Sequence, residues 1–461
     1  MTHPTDTIAA IATARGRAAL AIVRLSGPEA VSVATACFRG RDLREVDSHT
    51  AHVGYVLAKD GAEIDHVVAT VFRAPRSATG EDIVEISCHG GDFAPALLLE
   101  SLIHHGARLA EPGEFTQRAF LNGKLDLAQA EAVAELIHAS SSLSHRVSLS
   151  HLQGRYSDVL GRLRDELLEL CAFVELEIDF TDEDVEFADR ARLEALLAHA
   201  DELLAGLLAS YRVGELVRDG VRVVIGGRPN AGKSTLLNAL VGRDRAIVSP
   251  TPGTTRDAIE ADAEIEGLLF RFVDTAGLRE TSDAIEAEGV RRAHHAFDRA
   301  DVLLYVYDLS SGLDEAEVQF LQGVTAQSDL PAILIGNKQD LVDQPTAPAL
   351  DAMPFIALSA EHGQRDAAEL DALVRRLLDT VAVGLANTDA SHVVTNQRHR
   401  QHLREALRAV RAARHALDAG LSGDLFTLDL RAALHELGAI TGEITNEDVL
   451  DQIFSRFCIG K

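Results

Sequence analysis

One short segment constrains this chain more than any other. Gly227-Arg-Pro-Asn-Ala-Gly232-Lys233-Ser234 follows an apolar run, VRVVIGG, and precedes a helical pattern, TLLNALVG. This strand–loop–helix context is the one that a phosphate-binding P-loop requires. The glycines let backbone N–H groups turn inward around a β-phosphate, at a helix N-terminus that adds positive potential. Lys233 can then bridge β- and γ-phosphate oxygens, while the Ser234 hydroxyl can ligate Mg²⁺.

Further motifs follow in order, most of them at the ends of apolar runs. Asp274-Thr-Ala-Gly277 suits an Asp that holds Mg²⁺ through water and a Gly N–H that meets a γ-phosphate. Gly253-Thr254-Thr255-Arg256 lies between these two motifs and places Thr255 where a switch threonine reaches Mg²⁺.

The last two motifs, Asn337-Lys338-Gln339-Asp340 and Ser359-Ala360, indicate which nucleotide base is bound. The Asp340 carboxylate offers two acceptors for the two N–H donors on guanine's Watson–Crick edge, where adenine presents only one donor group. Ser359-Ala360 suits a backbone contact to guanine O6. We therefore predict a GTP-binding domain, whose nucleotide-binding residues are Gly227, Asn230, Ala231, Gly232, Lys233, Ser234, Thr235, Ser249, Thr254, Thr255, Asp274, Thr275, Ala276, Gly277, Asn337, Lys338, Asp340, Ser359 and Ala360.

The residue after the DTAG motif is Leu278, where Ras-type proteins have a Gln that orients the attacking water. Hydrolysis is therefore either negligible or supported by other groups. Glu286 is a candidate for orienting water, although spacing alone also fits an exposed loop carboxylate. A K⁺ ion can take the place of an arginine finger if enough oxygens surround it. The sequence offers such oxygens from Asn230, Ser249, Thr251 and Thr254.

Composition limits the remaining possibilities. A length of 461 residues predicts about three domains. The net charge of −27 makes nonspecific coating of nucleic acid improbable, although a local basic face is still possible. The four cysteines form no CxxC pair, which argues against a disulfide scaffold and fits a reducing cytosol. No apolar run approaches the ~20 residues of a membrane span, and MTHPTDTIAA does not look like a secretory signal, so we expect a cytoplasmic protein.

The pattern of apolar residues changes three times along the chain. The first stretch has short strands and turns, which predict a compact α+β domain, and the second predicts long antiparallel helices. The third alternates apolar strands with helices, which is typical of a mostly parallel sheet, and the last is helical again. The predicted fold class is multidomain α/β + α, with a Ras-like P-loop domain inserted into a discontinuous helical domain. The predicted boundaries are 1–124, 125–218, 219–384 and 385–461.

Three local predictions accompany this organisation. Val53–Leu57 and Ile64–Phe72 should form a hairpin. The stripe Arg400, Arg404, Arg408 and Arg411 can track nucleic-acid phosphates, or it can be a solvated outer face paired with neighbouring acidic helices. The first helix of the second segment should bury one face, made of Ala128, Ala132, Val133, Leu136 and Ile137.

Together these motifs resemble the MnmE (TrmE) family of tRNA-modification GTPases, over essentially the whole chain. Besides the GTPase motifs, DTIAAIAT and IVRLSG look like that family. So do ATGEDIVEISCHGG, EPGEFTQRAFLNGKLDLAQAEA and the C-terminal FCIGK, which are specific to the family rather than to GTPases in general. Two departures stand out: ATARGRAAL replaces a Pro-Gly-rich loop, and Ser249 stands where Thr is usual.

The resemblance implies an N-terminal domain similar to folate-dependent aminomethyltransferases, which dimerises and binds 5-formyl-tetrahydrofolate. The family's folate contacts map to Arg24, Glu81, Lys124 and Lys461. A carboxylate can pair with the N–H donors of a pterin, and basic side chains can meet the glutamate tail. Cys458, in FCIGK, is either a thiol near the modification site or a small buried apolar side chain.

The resemblance also implies a mechanism. It makes Ser234 and Thr255 the Mg²⁺ ligands, the four oxygen-bearing residues above the K⁺ ligands, and Glu286 a catalytic residue beside Lys233 and Asn230. GTP hydrolysis would drive addition of a carboxymethylaminomethyl or aminomethyl group to carbon 5 of the wobble uridine of certain tRNAs. The partner implied is MnmG, which contains FAD, in a heterotetrameric complex. Two alternatives are a ribosome-assembly GTPase acting on rRNA and a folate enzyme that GTP only regulates.

Overall fold

The computed structural model describes residues 6–179, 190–243, 260–274, 300–327, 330–348, 350, 353–381, 389–419 and 423–460. The chain divides into two compact units. The first combines Met1–Ile137, Leu149–Asp201 and Glu405–Lys461, and the second combines His138–Ser148 and Glu202–Arg404.

A seven-stranded sheet organises the first unit, in the order β3-β4-β5-β6-β2-β1-β7. Neighbouring strands are antiparallel except β1 and β7. The pairing of β4 with β5 confirms the predicted hairpin. The strands are β1 Ile8–Ile11, β2 Leu20–Ser26, β3 Phe38–Arg39, β4 Thr50–Leu57, β5 Glu63–Phe72, β6 Ile83–His89 and β7 Arg108–Leu109.

The two faces of this sheet differ. Helices α1 (Ala30–Cys37) and α2 (Ala94–His104) contribute Val33 and Leu98 to a core with Val23 and Ile86 of the sheet. Because side chains alternate along a strand, the other face carries the intervening residues. We call this second surface the outer face. Among its members are Leu20, Val53, Tyr55 and Val68, which are 62%, 63%, 39% and 39% exposed.

Most of the rest of the first unit is helical, and the helices at 142–152, 190–219 and 397–418 each belong partly to the second unit. Two ion pairs, Arg192–Glu169 at 2.6 Å and His199–Glu166 at 3.8 Å, show that α6 and α7 run antiparallel, as predicted. After α2, the helices that do not pack on the second sheet are α3 Glu114–Leu121, α4 Leu127–His138, α5 Ser142–Leu152, α6 Arg155–Asp179, α7 Arg190–Asp219, α12 Gln397–Asp418, α13 Gly423–Thr441 and α14 Glu447–Phe454.

The predicted buried face of α4 is partly wrong. Ile137 is 47% exposed, whereas Leu127 and Ala130 are fully buried. Leu127 and Ala130 are buried because they pack in a cluster with Phe454 and Phe457 near the chain end. Apolar spacing alone does not reveal which side of the helix that distant segment covers.

The second unit contains a six-stranded sheet in the order β13-β12-β11-β8-β10-β9. All pairs are parallel except β10 with β9, which confirms the mostly parallel sheet. Helices α8 and α11 pack on Val223 and Ile225, and α9 packs on the opposite face beside Val224. The elements are β8 Val221–Gly226, α8 Lys233–Arg243, β9 Glu260–Ile265, β10 Leu268–Asp274, β11 Val302–Asp308, α9 Glu315–Gln327, β12 Ala332–Asn337, β13 Phe355–Ala357, α10 Ala360–Gly363 and α11 Asp371–Val381.

Within the described part of the chain, no helix is both long enough and apolar enough to span a bilayer.

Candidate functional site

The predicted P-loop connects β8 to the first turn of α8. Gly227 has φ +135°, and a Cβ there would lie 2.0 Å from the carbonyl oxygen of Val306. Gly232 has φ +96°, and a Cβ there would lie 2.0 Å from Nδ2 of Asn337. Both positions therefore require glycine, for backbone angle and for space. The loop is fixed by its closeness to β11 and β12.

Two polar side chains of α8 lie at the phosphate end of this loop. Lys233 is 5% exposed, and its Nζ donates to the carbonyl oxygens of Gly227 at 2.9 Å and Arg228 at 2.8 Å. The hydroxyl of Ser234 donates to Oδ2 of Asp274 at 3.0 Å. A hydroxyl and a carboxylate at this distance form an oxygen pair of the kind that Mg²⁺ prefers.

Asn337 links three segments that are far apart in sequence. Its side chain is buried, and Nδ2 donates to the carbonyl oxygen of Ala231 at 2.8 Å. Its Oδ1 accepts from the backbone N–H of Ala360 at 2.9 Å. The P-loop and the segment at Ser359-Ala360 are thereby held to the end of β12. The structure brings the predicted phosphate and guanine residues together through this one amide.

The predicted guanine end is more open. Asp340 is exposed, and a hydrogen bond from Ser359 lowers the pKa of its carboxyl, which favours the ionised acceptor. Ser359 is buried and caps α10 by accepting from the N–H of His362 at 3.3 Å. Lys338 has φ +62°, and its Nζ pairs with Oδ2 of Asp308 at 2.7 Å. Sequence reasoning missed Asp308, although its place at the end of β11 was a usable signal.

The remaining predictions for this site divide in two. Asn230 lies in the P-loop in a left-handed conformation, φ +62°, and Thr235 lies in α8, where its carbonyl oxygen accepts from Gln364 at 3.3 Å. The others lie outside the described residues: Ser249, Thr251, Thr254, Thr255, Thr275, Ala276, Gly277 and Glu286, with Lys461 of the folate set.

The predicted folate contacts that the structure describes lie in the first unit. Arg24 is on the outer face of β2, pairs with Glu85 at 2.7 Å, and holds its guanidinium 5.7 Å from the ring centroid of Phe115. Ser26, two residues along the same strand, donates its hydroxyl to Glu81 at 2.7 Å. These contacts bring Arg24 and Glu81 to one end of β2.

Glu81 also meets Arg118, a residue that sequence reasoning missed. The side chain of Arg118 is fully buried, and it forms ion pairs with Glu81 at 3.3 Å, Asp6 at 2.7 Å and Glu114 at 2.8 Å. Burial opposes the charge of Arg118, but the carboxylates offset this effect and its pKa is raised. The signal was present: Arg118 follows Glu114 by four residues in EFTQRAF, so both lie on one helix face.

Lys124 is exposed and donates to the carbonyl oxygen of Pro75 at 3.1 Å. It lies beside the loop that carries Glu81, since a Cβ on Gly80 would be 3.4 Å from Cγ of Lys124. The structure therefore gathers the three described folate candidates in one region.

The C-terminal motif lies against the segment before α3. Pro112 and Ile459 form a β-bridge, and the N–H of Gly113 donates to the carbonyl oxygen of Cys458 at 3.4 Å. Cys458 is exposed, so the reading of it as a buried apolar side chain is wrong. Among the described residues, no group of three or more His, Cys, Asp or Glu side chains has the arrangement of a metal site.

The arginine stripe on α12 is partly engaged. Arg400 stacks 4.4 Å from the ring centroid of Tyr211, Arg408 pairs with Glu405 at 2.8 Å, and Arg411 pairs with Asp201 at 2.5 Å. The reading as a face paired with neighbouring acidic helices therefore applies to Arg411, which meets Asp201 of α7, whereas Arg408 pairs within its own helix. Arg404 is exposed.

A family model described as the MnmE helical domain matches residues 127–458, and one described as the GTP-binding protein TrmE N-terminus matches residues 7–124. The tRNA modification GTPase MnmE of Salinibacter ruber is 67% identical over 99% of both chains. This chain belongs to the MnmE family.

Other MnmE proteins are similar over the same length. That of Cytophaga hutchinsonii is 43% identical over 100% of this chain and 99% of its own. A structure of Aquifex aeolicus Era is 27% identical and covers 41% of this chain and 66% of its own, with a TM-score of 0.28, too low to carry an argument. As a member of the MnmE family, the protein is a multidomain GTP hydrolase, a family activity that uses GTP and Mg²⁺.

Proposed function

We propose that this protein is a potassium-activated GTPase whose hydrolysis of GTP drives modification of tRNA at carbon 5 of the wobble uridine. The product would be a carboxymethylaminomethyl or aminomethyl uridine, made in the cytoplasm with a FAD-containing partner, MnmG. The observation that carries the proposal is the Asn337 amide, which bonds both Ala231 of the P-loop and Ala360 of the proposed guanine segment and so supports the GTP-binding part of it. The names of the relatives, tRNA modification GTPases, support the tRNA substrate.

The oxygen atoms of Ser234 and Asp274, at the phosphate end of the P-loop, suit Mg²⁺. Ser234 and the Asp274 carboxylate are already 3.0 Å apart; Ser234 and Thr255 would bind the ion directly, and Asp274 would hold it through water. Bound there with GTP, Mg²⁺ supplies charge neutralisation of the phosphates. Lys233, which is buried in the first turn of α8, adds a second fixed positive charge at this end of the loop.

Potassium activation rests on Asn230. Its left-handed backbone is one that Asn tolerates better than most residues, and its side-chain oxygen can serve a monovalent cation. Ser249, Thr251 and Thr254 would be the other ligands. Since Leu278 can neither donate nor accept a hydrogen bond, water would be oriented elsewhere, and Glu286 is our candidate.

We place a folate, 5-formyl-tetrahydrofolate or a relative, beside Glu81. Held by Ser26 and Arg118, the Glu81 carboxylate is a fixed acceptor for the N–H donors of a pterin. Arg24 and Lys124 would meet the ligand's carboxylates, together with Lys461. The folate would supply the one-carbon unit.

We further propose a homodimer formed by the outer face of the first sheet. Val53 and Val68 expose apolar surface on the paired strands β4 and β5, and Leu20 does so on β2, beyond β6; isolated proteins rarely leave such a patch uncovered. A second copy is the occupant we favour, because the face also carries Arg24, and pairing there would shelter the proposed folate site.

The deciding experiment compares turnover in KCl and NaCl, for the wild type and Asn230→Ala. We expect strong stimulation by potassium that the substitution abolishes; slow hydrolysis indifferent to the cation would reject the proposal. Nucleoside mass spectrometry of tRNA from a deletion strain tests the substrate. Loss of the modified wobble uridine is expected, whereas intact tRNA with a defect in ribosomal particles would indicate a ribosome-assembly GTPase.

A further inference from the structure

A polar cluster adjoins the P-loop on the side of α9. Nη2 of Arg228, the second residue of the loop, donates to Oε2 of Glu317 at 2.5 Å and to the carbonyl oxygen of Gly312 at 2.8 Å. Glu317 is 6% exposed, so this is a contact between a partly exposed arginine and a buried carboxylate. The two residues are far apart in sequence and meet only because β11 and α9 follow the P-loop strand in space.

Glu317 is itself held in place. Its Oε1 accepts from the hydroxyl of Tyr305 at 2.9 Å, and its Oε2 accepts from the N–H of Asp314 at 2.9 Å. The N–H of Glu317 in turn donates to Oδ1 of Asp314 at 2.8 Å, which completes a capping box at the start of α9. Burial and the bond to Glu317 raise the pKa of Tyr305, so its hydroxyl remains a donor.

The same arginine is linked to the phosphate end of the site through its backbone. The carbonyl oxygen of Arg228 accepts from Nζ of Lys233 at 2.8 Å. Pro229 follows Arg228 and restricts the torsion angles on both sides of their bond. A side chain fixed on Glu317 and a stiff following residue together fix the carbonyl that holds Lys233.

We propose that Arg228 is a positioning residue for GTP hydrolysis: anchored on Glu317, it holds the start of the P-loop so that Lys233 is presented to the phosphates. Arg228 itself need not touch the nucleotide. Tyr305 and the cap of α9 act through Glu317, so the anchor extends from the loop to the first turn of α9.

A merely structural role for the cluster makes a different prediction. If Glu317 serves only to cap α9, its loss lowers thermal stability and leaves the nucleotide kinetics unchanged. If it anchors the P-loop, nucleotide affinity and turnover change even where stability does not. Glu317→Gln separates these roles, because Gln serves equally well at this position of a capping box but removes the charge of the nearer partner of Arg228, while Asp314 stays 3.6 Å from the guanidinium.

The experiment is a double-mutant cycle in the full-length protein, with Arg228→Ala, Glu317→Gln and their combination. The control is Arg375→Ala, on the exposed side of α11, whose Nε donates to the carbonyl oxygen of Asp371 in its own helix at 3.2 Å. Ala is compatible with the extended backbone required before Pro229. Dissociation constants for GTP and GDP, kcat, KM and melting temperature are measured for each variant.

We expect each single substitution to raise the dissociation constants and lower kcat/KM about fivefold to tenfold, and the double substitution to be no worse than the stronger single one. The control should match the wild type. Unchanged affinity and kcat/KM in both singles, with or without a lower melting temperature, would overturn the proposal, as would effects that simply multiply. If Arg228→Ala does not fold, Arg228→Lys, which keeps the charge without the forked reach, and Glu317→Gln decide the matter.

Discussion

The buried Arg118 gives the sharpest prediction for the first unit. Arg118→Met removes a fully buried guanidinium, keeps an apolar chain about as long as the arginine stem, and leaves its three carboxylate partners in place. Two of these partners have other support: Asp6 and Glu114 still pair with Arg108, at 2.7 Å and 2.6 Å. Glu81 keeps only the hydroxyl of Ser26 among the contacts described above.

The expected loss of folding free energy depends on which of the three carboxylates are buried away from solvent. Breaking a buried ion pair by removing one partner typically costs about 3–5 kcal/mol. The side chain of Asp6 is 46% exposed and that of Glu114 only 8%, so most of the cost comes from Glu114 and Glu81. Since Arg108 remains, we expect the lower end, about 3 kcal/mol. For a unit of this size the melting temperature should fall by roughly 6–12 °C.

Acid gives a second signature of the same network. Burial alone would raise the pKa of Asp6 and of Glu114, but the hydrogen bonds from Arg108 and Arg118 prevail and lower both. A lowered carboxyl pKa stabilises the fold above the unfolded value, about 4, and that contribution is lost as pH falls through the folded value. The wild type should therefore lose stability below about pH 4, and Arg118→Met should lose less, because part of the contribution is already gone.

Differential scanning calorimetry and hydrogen exchange of peptides from β1 and α3 measure these effects in the full-length protein. The matched control is Arg44→Met, which removes an exposed pair with Asp42 in the same unit and should leave both readouts unchanged. A melting temperature within 1–2 °C (about 0.5 kcal/mol) of the wild type would refute the reasoning. So would an equal loss in the control.

Three other substitutions test the remaining sites. Asn337→Ala leaves a carbonyl oxygen of Ala231 and the N–H of Ala360 without their partner, so GTP affinity measured by calorimetry should fall at least about tenfold; a smaller effect means the link is dispensable. Asp340→Asn exchanges an acceptor for a donor, so binding should shift from guanine to xanthine nucleotides, and retained guanine preference contradicts the assignment. Val68→Glu puts a charge on the outer face, so sedimentation should show monomers where the wild type is dimeric; a dimeric variant excludes this face.

The sequence could place the described GTPase motifs within the fold because each motif is local. A loop after an apolar strand must lie at the carboxyl end of that strand, and parallel strands bring such ends together. The structure accordingly places Gly227, Asp274 and Asn337 at the ends of β8, β10 and β12. The same locality explains the correct hairpin between β4 and β5.

What the sequence did not predict depends on contacts between distant segments. Glu114 lies on the same helix as Arg118, but Asp6 and Glu81 come from distant segments, and without them Arg118 reads as a surface charge, because burying a charge is favourable only when partners arrive together. The Arg228–Glu317 contact is another such case. The error on α4 has the same origin: Ile137 and Leu127 are equally apolar, and only the C-terminal helix decides which one is buried.

The contacts around the P-loop bear on affinity as well as on position. Gly227 lies against β11, Asn337 binds the carbonyl oxygen of Ala231, and Arg228 is held by Glu317. A loop fixed at three points by its own fold loses little conformational freedom when phosphate binds, so less of the interaction energy is spent on ordering it. It follows that weakening any one of these contacts should reduce the affinity for GDP as well as for GTP, because the ordering cost is common to both nucleotides. A change confined to GTP would instead place the defect at the γ-phosphate.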